Sequence, residues 1–181
     1  MTIKTFGDKK IVIRQIRSGD VANAKKFQNY INSLIDEEAK ILMNKKFSLK
    51  EERKAVESFL ANNRKKNKVL IIAEHNNQIV GLTDVSLDRH RRNHIGIFGI
   101  SIRAGYRGIG LGKHIMEEVM RLAKKDLNPK PKIIQLEVYA NNKPAIALYK
   151  KMGFKIVAKL PKQIQYKGKL IDELTMLKYI K

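Results

Sequence analysis

Cysteine is absent from the chain, which excludes a disulfide framework and any thiolate nucleophile. No apolar run approaches the roughly twenty residues that a membrane span requires. Nor does the sequence open on a cationic segment followed by an apolar one, the pattern of a secretion signal, so a soluble cytoplasmic protein is expected. Low-complexity linkers and internal repeats are lacking too, and the 181 residues are read as a single domain, 1–181, long enough for one well-buried core. Acidic residues are scarce: 17 Asp and Glu stand against 38 Lys and Arg, a formal net charge of +21. Such an excess attracts polyanions at long range. Its clusters (Lys45-Lys46, Arg64 to Lys66, Arg89 to Arg92, Lys124-Lys125, Lys150-Lys151) are scattered and lack the interleaved aromatics on which single-strand binders stack bases. They read first as solvated faces, with a nucleic-acid or ribosome contact as the lesser reading.

What is present is an alternation of strand and helix patterns. Ile11–Ile16 alternates apolar and polar residues as a half-buried strand does, and Ser18-Gly19-Asp20 turns it into a helix with Ala24, Phe27, Ile31, Leu34 and Ile35 on one stripe. Ser48-Leu49-Lys50-Glu51 has the spacing of a capping box and predicts a second helix through Val56, Phe59 and Leu60. Val69–Glu74 and Ile79–Leu87 read as strands joined by a turn at His75 to Gln78, and His94–Ile102 as a third. Leu111, Ile115, Val119, Leu122 and Ala123 mark a helix that ends before Asn128-Pro129; a strand follows from Ile133 and a helix from about Pro144, stopped at Gly153. Phe154–Lys159 and Leu170–Tyr179, with a turn at Tyr166 to Lys169, complete the order β-α-α-β-β-β-α-β-α-β-β. This is an α/β fold with a mixed sheet and helices on both faces.

The stretch Ile100 to Gly112, ISIRAGYRGIGLG, carries the strongest chemical signal. A strand ends in an Arg and three alternating glycines that open an amphipathic helix. A helix start offers unpaired N–H groups and a positive dipole end, and glycines let an anion approach the backbone. A P-loop is excluded, because His114 follows Gly112-Lys113 where Ser or Thr is needed and Arg107 stands at the first glycine position. A dinucleotide fingerprint fails as well, because Lys113 occupies the place of its third glycine.

The turn spells R-x-x-G-x-G from Arg107 to Gly112 and resembles the acetyl-CoA pyrophosphate loop of the GNAT acyltransferase superfamily. IIQLEVYANNKPAIALYKKMGF, Ile133 to Phe154, is similar to that superfamily's following strand and helix, with Asn142, Ala145, Leu148, Tyr149, Gly153 and Phe154 at the matching spacings. The resemblance is closest from Ile95 to Met176 and implies a GNAT-like, mostly antiparallel central sheet. It also implies an acetyl-CoA-dependent N-acetyltransferase, with acetyl-CoA as co-substrate and a primary amine as acceptor. The backbone at Ile100, Ser101 and Ile102 is then expected to hold the pantetheine arm and polarise the thioester. The amides of Arg107, Gly108, Ile109, Gly110, Leu111, Gly112 and Lys113 are expected at the pyrophosphate, and Asn142 on the arm's other side.

Acyl transfer to an amine needs a base for the alkyl ammonium and an acid for the departing thiolate. The resemblance implies Tyr149 for the acid, with core packing as the alternative. His94–Ile102 holds no carboxylate, so the base falls to Glu137, twelve positions before Tyr149. LEVYANNKPAIALY resembles the ribosomal-protein alanine N-acetyltransferases, whose glutamate and tyrosine keep that spacing. A solvated strand carboxylate is the alternative for Glu137, and Asp84, acting through water, is the second candidate base. His90 and His94 lie four apart without a carboxylate or Cys partner nearby, so no metal site is expected. The acceptor site is expected between Asp36-Glu37-Glu38 and the final hairpin with Tyr166, Gly168 and Asp172, which favours a cationic amine. A protein N-terminus, as on a ribosomal protein, a lysine, an amino acid or a polyamine all fit. A CoA-binding domain without catalysis is the alternative to an enzyme, and neither a monomer nor a homodimer is selected.

Overall fold

The computed structural model describes residues 1–180. Its elements are β1 (Thr2–Phe6), β2 (Lys9–Gln15), α1 (Ala24–Asp36), α2 (Leu49–Arg64), β3 (Lys68–His75), β4 (Gln78–Leu87), β5 (Ile95–Ile102), α3 (Leu111–Asp126), β6 (Ile133–Tyr139), α4 (Lys143–Lys151), β7 (Lys155–Tyr166) and β8 (Lys169–Tyr179). The strands form one sheet in the order β1-β2-β3-β4-β5-β6-β8-β7, antiparallel throughout except at β5–β6. Among the described residues no helix is long and apolar enough to cross a membrane.

The central strands are apolar on both sides because helices cover both faces. In β3, Leu70 and Ile72 meet Phe27, Tyr30 and Leu34 of α1 and Val56 and Leu60 of α2. The alternate residues Val69, Ile71 and Ala73 belong with Ile115, Val119 and Leu122 of α3 and Tyr149 of α4. The expected capping box is made at α2: Ser48 Oγ accepts from the Glu51 amide at 3.3 Å, and the Glu51 carboxylate accepts from the Ser48 amide at 2.8 Å. Gly153 ends α4 at φ 87°, in the left-handed region that favours glycine.

Two features differ from the expected order. An additional strand, β1, lies on the sheet edge, and β7 continues to Tyr166, well past Lys159. β1 has four exposed residues of five and exists through its pairing with β2. β7 carries register shifts between Ile156 and Ala158 and between Leu160 and Ile164, which break the alternation by which a long strand is recognised.

The parallel pair positions the site. β5 and β6 pair only over Ile95–Ile97 and Ile133–Gln135; beyond that, β5 stays on β4 as far as Ile102 and β6 stays on β8 as far as Tyr139. The sheet therefore opens as a wedge in its middle. At the closed end, a Cβ on Gly96 would lie 2.7 Å from Val85 Cγ1 and 2.8 Å from Ile134 Cδ1, so the close approach there requires glycine.

Candidate active site

One cavity of about 1230 Å³ runs through the wedge, from the glycine turn before α3 to the space under α1 and α2. Along its β5 wall the ladder bonds Arg103 N–H to Val80 O at 3.0 Å and Asp88 N–H to Ile95 O at 2.9 Å fix which residues face β4. Antiparallel pairing alternates, so Gly99 and Ser101 spend their amides on β4, while Ile100 and Ile102 turn theirs toward the wedge. Of the three β5 residues expected at the pantetheine arm, Ile100 and Ile102 present free backbone donors. Ser101 is instead held from the α1 side, where the Tyr30 hydroxyl donates to its carbonyl at 2.7 Å and lies 2.9 Å from its Oγ. Burial pushes the Tyr30 phenol well above its ordinary range, so it remains a donor.

At the other end of the wedge, Gly108 and Gly110 adopt φ 78° and 88°, and Gly110 is the N-cap of α3 without a side-chain cap. The first helical bond is His114 N–H to Gly110 O at 3.2 Å, which leaves the amides of Leu111, Gly112 and Lys113 unspent. No acidic side chain occupies that first turn. The Leu111 side chain is fully buried and Ile109 packs on the core, so both offer backbone alone. The Arg107 guanidinium bonds Ile102 O at 2.7 Å and pairs with Glu37; Glu37 in turn accepts from the Ala104 amide at 3.0 Å. Arg107 thereby ties the end of α1 to the glycine turn.

The two residues expected to move protons lie on opposite faces of the sheet. Leu136 and Val138 are buried with Tyr149 in the core under α3 and α4, so the strand's alternation places exposed Glu137 on the α1 and α2 face. Tyr149 packs edge-on to Phe98, ring centroids 6.1 Å apart, and lines the cavity; burial raises its phenol to about 12. Asn142, at the N-cap of α4, makes no side-chain cap bond and lines the same wall. Asp84 is engaged: Lys68 pairs with it at 2.9 Å and Ser86 Oγ donates to it at 3.1 Å.

Tyr30, Tyr139 and Glu52 line the cavity and were not evident from the sequence. Tyr30 falls on the α1 stripe three residues after Phe27, a spacing that signals burial. Tyr139 donates to Ile41 O at 2.6 Å and Tyr166 to Glu38 O at 2.8 Å, so the α1–α2 connection is strapped to β6 and β7 at the end of the cavity under α1 and α2. Glu52 of α2 carries no such signal, yet its side chain is buried at 7% exposure and lines the cavity. Burial raises its carboxyl above the ordinary value of 4.5. The cost of that buried charge is present above the unfolded value and disappears as both states become protonated below it. Glu52→Gln is therefore expected to raise Tm at pH 7.5, with the gain fading by pH 4, as scanning calorimetry at the two pH values reads.

The model of the acetyltransferase (GNAT) family matches residues 35–154. A curated relative, the L-amino acid N-acetyltransferase AaaT of Escherichia coli, is 29% identical over 107 residues, 59% of this chain and 65% of its own length, so the chain spans under two thirds of that relative. Among solved structures, a GNAT-family acetyltransferase from Streptococcus pneumoniae superposes with a TM-score of 0.81 at 24% identity, covering 94% of this chain and 99% of that one. The phosphinothricin acetyltransferase of Sinorhizobium meliloti, solved in complex with acetyl-CoA, gives a TM-score of 0.77 at 14% identity, covering 94% and 88%. At those identities the likeness is one of fold.

Proposed function

Because the chain belongs to the acetyltransferase (GNAT) family, we propose that it transfers the acetyl group of acetyl-CoA to a primary amine by direct attack. The observation that carries this reading is the continuous cavity through the β5–β6 wedge, with unspent amides of Leu111, Gly112 and Lys113 at one end and carboxylates at the other. Acetyl-CoA supplies an activated thioester. The backbone from Gly108 to Lys113 holds its pyrophosphate, the Ile100 and Ile102 amides bond the pantetheine arm and the carbonyl oxygen as it gains charge, and Asn142 bonds the arm from the facing wall.

Glu137 removes a proton from the acceptor ammonium on the α1 and α2 face, directly or through water. Tyr149 donates to the sulfur from the other face. The alkyl ammonium carries its proton at neutral pH, so the base precedes attack; the thiolate leaves last, so the acid follows it. With no cysteine in the chain and no nucleophile assigned, attack in a ternary complex is the direct route.

Thiol release from acetyl-CoA against amines, amino acids and peptides, including the N-terminus of a ribosomal protein, tests this reading. Intersecting double-reciprocal lines and no covalent acetyl adduct after incubation with acetyl-CoA alone are expected. Calorimetric binding of acetyl-CoA without thiol release for any acceptor would favour a CoA-binding domain without catalysis.

A further inference from the structure

Six acidic residues line the cavity: Glu37, Glu38, Glu52, Asp84, Glu137 and Glu173. Three are neutralised by basic partners, Glu37 by Arg107, Glu38 by Lys167 and Asp84 by Lys68. Among the described residues, Glu52, Glu137 and Glu173 have no such partner. A chain with a net charge of +21 thus leaves three carboxylates unpaired in one cavity.

Glu52 is the informative one. It is more than nine-tenths buried, and no donor reaches its carboxylate among the described residues. No fully buried side-chain polar atom of the described residues lacks a partner, so the Glu52 carboxylate opens into the cavity it lines. A buried charge without a partner costs folding stability, and a cationic ligand removes that cost when it binds. The described residues hold no group of acidic or His side chains close enough together to bind a metal ion. Glu137 and Glu173 are diagonal neighbours on the β6–β8 ladder, while Glu52 comes from α2, so the negative charge is divided between two elements, as separated ammonium groups require.

The surroundings narrow the ligand further. Phe47 and Phe59 line the same space as Glu52 and supply apolar wall for methylene chains. An acceptor bearing its own carboxylate would face these three unpaired carboxylates, and two of the cations on this side are already paired, Lys68 with Asp84 and Arg107 with Glu37, which leaves Lys40, whose ammonium bonds Asn141 O at 2.8 Å. The strap held by Tyr139 and Tyr166 crosses the acceptor end, which suits a thin chain.

We propose that the acceptor is a linear di- or polyamine, with Glu52 holding the ammonium remote from the one that Glu137 deprotonates. The inference rests on the acetyltransferase reading for turnover but not for binding. Spermidine and 1,4-diaminobutane are expected to exceed butylamine in kcat/KM by roughly tenfold or more, the effect of one buried charge-assisted hydrogen bond. Glu52→Gln is expected to raise the KM for 1,4-diaminobutane roughly tenfold with kcat nearly constant, closing the gap to butylamine. Calorimetry with spermidine supplies the readout that needs no catalysis, and its melting temperature reports whether the variant is folded. Saturable spermidine binding that Glu52→Gln weakens supports the inference even without thiol release, in which case the acetyltransferase reading alone fails. Butylamine matching the diamine, a preference for an amino acid or a peptide N-terminus, or equal spermidine binding by wild type and variant would overturn it.

Discussion

Tyr149→Phe is expected to lower kcat by about 100-fold while acetyl-CoA binds with unchanged affinity, the signature of a proton donor used only in the transition state. Phenylalanine keeps the ring against Phe98 and Phe154 and removes only the hydroxyl. A core role for Tyr149 would instead leave kcat untouched. The same residue fixes an expectation for pH. The proposed mechanism needs the protonated phenol, and burial raises it to about 12, so its loss sets in only as pH approaches that value. Activity should climb as the acceptor and its base deprotonate, with no fall up to pH 10 in the wild type. A fall in kcat between pH 8 and 10 that Tyr149→Phe abolished would show that the phenol ionises near its ordinary value.

A donor so weakly acidic does not hand a proton freely to a thiolate of ordinary pKa near 8.5. The burial that disfavours the phenolate also disfavours the thiolate leaving beside it, which narrows the gap between the two. In the proposed mechanism Tyr149 therefore works as a hydrogen-bond donor to the sulfur while charge develops and completes the transfer as the bond breaks. This arrangement requires the donor to lie on the sulfur's side of the sheet and the base on the amine's side. The alternation of β6 suits that mechanism, with Glu137 facing α1 and α2 while Leu136 and Val138 join the core around Tyr149.

How far the sequence carries follows from the range of the interactions involved. The glycine turn, the α2 capping box and the stop of α4 at Gly153 are local, and their residue types and spacing express them directly. The sequence offers no local sign of the wedge, because its physical cause, pairing that lasts only from Ile95 to Ile97, depends on two strands far apart in the chain. β1 offers no apolar alternation because four of its residues face solvent. Asp84 reads as a free strand carboxylate until the antiparallel β3–β4 pairing brings Lys68 to it. Glu52 follows the capping box of α2 and looks like one more surface charge on an acidic first turn. Its burial depends on what the helix packs against. Charged residues are thus the ones that the sequence left hardest to place, since the same side chain serves as surface, ion pair or site according to partners many residues away.

Arg14 makes that point with the largest expected effect on stability. In IVIRQI it occupies a polar position of an alternating strand, yet it is 7% exposed. Its guanidinium makes two bonds of 2.8 Å to Asp20 and bonds of 2.8 and 3.1 Å to Glu74. Asp20 is also buried, and its carboxylate accepts from the Arg17 amide at 2.8 Å at the turn that leads into α1. Arg14→Met keeps apolar volume but strands two carboxylates, one of them buried with a backbone amide as its remaining donor. Removing one partner from a buried ion cluster costs about 3–5 kcal/mol. For a domain of this size each kcal/mol lowers Tm by about 2–4 °C, so a drop of roughly 6–20 °C is expected by scanning calorimetry. A loss below 1 kcal/mol would mean that water or Lys26, 3.8 Å from Glu74, takes over the guanidinium's place. The consequence reaches the site through α1, which carries Tyr30 to the Ser101 carbonyl and Glu37 to Arg107. Below its melting transition the variant should keep its acetyl-CoA affinity, because the amides of α3 and the wedge walls are built by elements that Arg14 does not touch.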